Sequence, residues 1–168
     1  GRLEELVLSL HGKIQSHAYP EKWLTEQKKS WTDLPGDVGE TVYGRELLDT
    51  LGRKARHWAA LLEEGLDRMA GDGALEKAYG PAFRQGTGML RELAEAAESG
   101  WDRARAVPLD WPRLVAARKC QSPELRDRLK SMWARCKKEM GAARSILDAS
   151  AAEAAKDLRR SAAAMEAL

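Results

Sequence analysis

A chain of 168 residues and 18.6 kDa is the size of one domain, and 28 basic against 26 acidic side chains leave a net charge of only +2. Apolar residues make up 43% and charged residues 32%, a balance that excludes a disordered chain and any global polyelectrolyte behaviour. No apolar run nears the roughly 20 residues of a membrane span, and no signal-peptide pattern opens the chain.

A folded chain of this mass buries roughly 70% of its unfolded surface, enough for a core without staples. Its two cysteines, Cys120 and Cys136, make no disulfide framework, so a reducing, cytoplasmic compartment is expected. The chain begins at Gly1 rather than methionine and is expected to be a piece of a longer protein. Six Trp stand against three Tyr and one Phe. Strand formers are sparse while Ala, Leu, Glu, Arg and Lys dominate, so the expected fold is all-α, a single helical domain over residues 1–168.

Leu3, Leu6, Val7, Leu10 and Ile14 recur at helical spacing and predict an amphipathic helix over 2–16. Pro20 fits the first turn of a short helix through Trp23 and Leu24. Leu34-Pro35-Gly36-Asp37 predicts a break near 32–39. A long helix follows over about 41–70, with Leu47, Leu48, Leu51, Ala55, Trp58, Leu62, Leu66 and Met69 on one face. Gly71-Asp72-Gly73 ends it. A helix over 74–79 is expected to stop at Gly80-Pro81, where another begins and runs to Ser99. Trp101–Val107 reads as a short helix and Pro108–Pro112 as a loop. Ser122 is placed as an N-cap, with Pro123 at the first helical position and Glu124 favourable to the dipole. That helix covers about 122–147. Ser150 and Glu153 form a capping box that opens a last, Ala-rich helix.

Charge is concentrated in one stretch. Residues 111–140 carry nine basic side chains and three acidic ones, a local charge of +6. On a helical wheel Arg126, Lys130, Lys137 and Arg144 form one narrow stripe beside an apolar face of Leu125, Leu129, Met132, Cys136, Met140, Ala143 and Leu147. Such a helix suits a body that packs on one side and meets a polyanion on the other. Arg113, Arg118 and Lys119 precede it in the loop. The same pattern also describes a solvated helix whose basic side chains cover apolar surface with their stems.

Autonomous chemistry is not expected. The chain has no phosphate-binding G-x-x-x-x-G-K-[ST], and Gly86-x-Gly88 lies in a helical region with no preceding strand. His11, His17 and His57 lack metal-site spacing, and Cys120 and Cys136 have no C-x-x-C partner. No residue is assigned a catalytic or metal-binding role, and no cofactor is expected in this chain.

Ser16-His17-Ala18-Tyr19-Pro20-Glu21-Lys22-Trp23-Leu24 follows the first helix with the form S-H-x-x-P-x-x-W-L. This stretch resembles a segment of AddA, the helicase–nuclease subunit of the bacterial AddAB recombination machine, where a proline usually stands at the position of Ala18. Trp111-Pro112-Arg113-Leu114, then Ser122-Pro123-Glu124-Leu125 and the basic helix with Lys137 and Lys138, are similar in order to a downstream AddA region. Tyr79, Leu90, Leu93 and Trp101-Asp102 fall between them in compatible order.

The resemblance implies a helical 1B insertion of a UvrD-like superfamily 1 helicase, an arm beside the DNA path. It implies a parent that is an ATP-dependent helicase and exonuclease of double-strand break repair and recombination, with ATP and Mg bound in motor domains outside this segment. The implied partners are DNA and an AddB-like subunit. Arg113, Arg118, Lys119, Arg126, Lys130, Lys137 and Arg144 are then the candidate backbone contacts. Trp23 and Leu24 read as packing residues, with base stacking by Trp23 the alternative. Ser16, His17 and Pro20 read as local structure, with a DNA contact by His17 the alternative. A different class of function is a helical module that docks a partner subunit through exposed Trp and Met residues.

Overall fold

The computed structural model of the chain describes residues 4–6, 8, 22 and 36–167. The helix predicted over 2–16, the short helix after Pro20, and Ser16, His17, Pro20, Trp23 and Leu24 lie outside the continuous described stretch. Helices α1 (Val42–Met69), α2 (Gly73–Ser99), α3 (Trp101–Ala106), α4 (Pro123–Arg144) and α5 (Ala151–Glu166) follow in order, with 3-10 turns at Val38–Glu40 and Ser145–Leu147. No strand occurs among the described residues, so the fold is all-α.

The chain divides into two compact units, one of Gly1–Arg45 with Ala149–Leu168 and one of Glu46–Asp148. In the first, Asp37 Oδ1 accepts from the Gly39 N–H at 2.7 Å and starts the 3-10 turn. Thr41 then donates from Oγ1 to the Val38 carbonyl at 2.6 Å and accepts from the Gly44 N–H at 2.9 Å, which satisfies an orphan donor of the first turn of α1. The turn meets α5, which buries Ala151 and Ala155 and opens on the expected Ser150–Glu153 capping box.

In the second unit α1 and α2 run antiparallel around a turn at Gly71, whose φ of +99° suits a residue without a Cβ. Arg56 pairs with Glu98 and Arg91 with Glu63 across the two helices. Close approach depends on two glycines. A Cβ at Gly65 would lie 2.9 Å from Met132 Cε and Phe83 Cε2, and one at Gly86 would lie 3.0 Å from the Trp133 ring. At these positions α1, α2 and α4 meet around Leu62, Phe83, Leu129 and Trp133, all buried.

One expected boundary is wrong. Gly80-Pro81 does not end a helix, because α2 continues through Pro81 without interruption. Proline there forfeits the bond to the Lys77 carbonyl and crowds it, a cost of about 3 kcal/mol. Three features of the site offset that cost. Gly80 has no Cβ to clash with the ring of the following proline. Lys77 and Pro81 are both exposed, so the freed carbonyl belongs to the solvent side of α2. Leu75 and Tyr79 before the proline, and Ala82 and Phe83 after it, are all buried and hold the helix on both sides.

The α-helical part of α4 also ends at Arg144 rather than near 147, and the last residues tighten into the 3-10 turn. Its predicted start holds. Ser122 Oγ accepts from the Leu125 N–H at 3.3 Å, with Pro123 at the first position.

Candidate nucleic-acid interface

Between α3 and α4 the chain runs through residues 107–122 with neither helix nor strand: residues 108–117 are irregular, and a turn follows at Arg118 and Lys119. Pro108 and Pro112 force extended backbone on the residues before them, and Val107 is extended at φ −69° and ψ 118°. Side chains of α4 hold this segment at successive levels. Arg144 donates through Nη2 to the carbonyls of Arg105 and, at 2.8 Å, of Val107. Trp111 meets Trp133 edge to face at 5.4 Å and 88°. Arg126 Nη1 approaches Cys120 Sγ at 3.9 Å. As the segment advances from 107 to 120 its partners on α4 retreat from 144 to 126, so it lies antiparallel along the helix.

That geometry brings the two groups of candidate residues together. Arg126, Trp133 and Arg144, which touch the segment, fall within about 20° of one another on the wheel, and Lys130 and Lys137 lie within about 40° of Arg126. Arg113, Arg118 and Lys119 on the segment and Lys130 and Lys137 on the helix are all exposed. None of these five is held in an ion pair among the described residues. Residues 111–123 contain no acidic side chain, so the segment side of the ridge is basic, while on the helix Asp127 pairs with Arg126.

The remaining two candidates have other engagements. Arg126 has about a third of its side chain exposed and bonds Asp127 Oδ1 at 3.1 Å; that bond and the Asp127 charge raise its pKa, so it stays a cation. Arg144 is half-buried, spends its Nη2 on backbone carbonyls, and has a buried Nε with no partner. Arg144 therefore anchors the segment within the fold.

Two residues in this region escaped the sequence reading. Trp133 lies four residues after Leu129 and three before Cys136, on the apolar face, and its spacing alone could have placed it in the core. It stacks on Phe83 at 5.3 Å, which in turn faces Tyr79 at 6.4 Å, so four aromatic rings run from α2 to the extended segment. Burial pushes the Tyr79 phenol up, against the lowering effect of the Arg126 charge. Asp72 is the second. An aspartate just before a helix is readable as a cap, but its bonds to Gln121 and Ser122 have no local signal.

On the opposite flank of α4 a groove of about 550 Å³ is lined by His57, Trp58 and Leu61 with Arg128, Met132 and Arg135. Glu139 accepts from Trp58 Nε1 at 3.0 Å there and faces Arg135 at 3.9 Å, and Asp127 also lines the groove. Both signs of charge meet on this flank, whereas the charged side chains of residues 111–123 on the other side are all basic.

Docking through exposed Trp and Met meets a different surface from the one expected. Trp58, Trp101 and Trp133 are buried, as are Met69, Met89 and Met140, and Trp111, Met132 and Met165 are half-buried. No described Trp or Met is exposed.

The cysteines differ in kind. Burial pushes the Cys136 thiol up to about 12, with the Glu139 charge adding to it, whereas Cys120 is half-exposed in the segment. Because the folded state favours the neutral thiol, this residue's contribution is present at neutral pH and declines as pH rises from the ordinary thiol value toward about 12. At about pH 8 a thiol reagent is expected to label Cys120 in the native chain and Cys136 only after denaturation, as mass spectrometry would read. Native labelling of Cys136 at the Cys120 rate contradicts this.

Among the described residues no group of three or more His, Cys, Asp and Glu could hold a metal ion, and no helix is long and apolar enough to cross a membrane. The chain is similar to AddA, one of the subunits of an ATP-dependent helicase/nuclease. The relative from Ruminiclostridium cellulolyticum is 30% identical over 105 residues, 61% of this chain and 8% of the relative. That from Acetivibrio thermocellus is also 30% identical, over 60% of this chain and 8% of its own length. One from Clostridium botulinum is 24% identical over 149 residues, 88% of this chain and 12% of the relative. The chain thus spans about a tenth of the curated relatives it matches. No family model and no solved structure matches it.

Proposed function

We propose that this chain is a DNA-contacting accessory domain of an ATP-dependent helicase/nuclease acting in double-strand break repair and recombination. It corresponds on this reading to the helical 1B insertion, and it grips the nucleic-acid backbone without reading sequence. The observation that carries the reading is the basic ridge. A pinned connection that carries exposed Arg113, Arg118 and Lys119 lies along the helix that exposes Lys130 and Lys137, with Arg126 reaching from the helix to Cys120. The similarity to helicase/nuclease subunits supports it from an independent direction. Phosphate contacts of this kind position a duplex or strand and carry no base information.

The chemistry of the whole enzyme lies elsewhere on this reading. ATP and Mg would bind in motor domains outside this chain, whose sequence has no phosphate loop. This chain would supply grip, and an AddB-like subunit would be its neighbour in the complex.

The test is binding of the chain to DNA across a salt series. Log affinity is expected to fall linearly with log salt, with about 0.9 of slope for each phosphate contact on duplex, and equally on unrelated sequences. Salt-tolerant binding to the partner subunit with no affinity for DNA would overturn the reading in favour of a protein-docking module.

A further inference from the structure

Asp72 sits where the turn between α1 and α2 meets the end of the extended segment, and only 6% of it is exposed. Its two oxygens have separate tasks. Oδ1 accepts from the Leu75 N–H at 3.2 Å and closes the N-terminus of α2. Oδ2 accepts from the Gln121 N–H at 2.8 Å and the Ser122 N–H at 3.4 Å, 49 and 50 residues along the chain. Those two amides follow closely on Arg118 and Lys119, and Ser122 is itself the cap of α4.

Capping α2 requires one acceptor, which a hydroxyl supplies as well as a carboxylate. The second oxygen serves the end of the segment and the residue that caps α4. An acidic group beside a ridge that meets phosphates is unfavourable unless it returns something. Here it returns charge-assisted bonds that fix the residues just after the Arg118–Lys119 turn, at the end of a connection with neither helix nor strand.

We infer that Asp72 is a positioning residue for the basic ridge: it holds Arg118 and Lys119 in register with α4 and strengthens the grip on phosphate without touching DNA. The inference rests on the DNA-contacting reading. It makes a prediction opposite in sign to simple electrostatics. Removing a negative charge near a polyanion strengthens binding. Removing the placement of two cations weakens it.

The experiment compares Asp72→Ser, the Arg118→Ala/Lys119→Ala pair and all three changes together in the full chain. Each is read by the salt dependence of duplex binding, with circular dichroism to follow the helices. The pair is expected to flatten the slope by roughly two units. Asp72→Ser keeps the α2 cap and is expected to flatten it toward the same value. The triple variant is expected to fall no further than the pair, a non-additivity that general destabilisation would not produce.

Gln121→Pro, which deletes the shorter segment N–H bond and leaves Asp72 intact, is measured in parallel. It is expected to flatten the slope in the same direction, and it carries the test if Asp72→Ser fails to fold. An unchanged or steeper slope in the folded variants, beside a flattened slope in the pair, overturns the inference and leaves the reading standing. An unchanged slope in the pair itself overturns the reading, and the inference falls with it.

Discussion

Replacing Phe83 by Ala is expected to destabilise the unit of residues 46–148 by about 3–5 kcal/mol. Phe83 is fully buried, and its ring lies between Tyr79 and Trp133. It touches α1 at Gly65, where a Cβ would lie 2.9 Å from its Cε2. Large-to-small changes cost both the lost transfer energy and the cavity left behind, and the cost rises when the surroundings cannot collapse. Here they collapse poorly. Gly65 has no side chain to move into the hole, and Trp133 is held from its other side by Trp111. Urea unfolding reads the effect, and Phe83→Leu is expected to lose about half as much because it refills most of the volume. Equal midpoints for wild type and Phe83→Ala would show that the ring is not part of the core.

The fold was legible wherever local chemistry decides an element's end. Ser122 with Pro123, and Ser150 with Glu153, place helix starts because capping is a contest among a few neighbouring groups. The sequence misleads at Gly80-Pro81, where proline's local penalty is outweighed by burial of Tyr79 and Phe83 on either side, a tertiary effect with no sequence signal. The basic stripe was legible as a pattern on a wheel, but its division was not. Arg144 shares the angular position of Arg126, yet it is held in the fold because the carbonyls of Arg105 and Val107 arrive from 37 to 39 residues away. For the same reason the second role of Asp72 could not be read. A long-range hydrogen bond leaves no periodicity behind.

Lys130→Ala with Lys137→Ala is expected to flatten the salt dependence of duplex binding by roughly two units, at about 0.9 for each phosphate no longer neutralised. Between about 50 and 200 mM salt, a slope change of that size alters the affinity ratio by about an order of magnitude. The two lysines stand about 10 Å apart along α4, both exposed, on the flank shared with the extended segment. Arg128 and Arg135 make the matched control. Their replacement removes the same charge from the same helix, but from the flank where Asp127 and Glu139 also lie. If only total charge matters, the two pairs flatten the slope equally. If the ridge is the contact surface, the lysine pair acts strongly and the arginine pair weakly, and the loss is the same on unrelated sequences. Exposed lysines away from caps and core change stability by no more than about 0.5 kcal/mol, so the lysine variant is expected to unfold with the wild type. A full-strength slope in a folded Lys130→Ala/Lys137→Ala variant would make this flank of α4 a solvated face, and DNA contact would have to come from the segment alone.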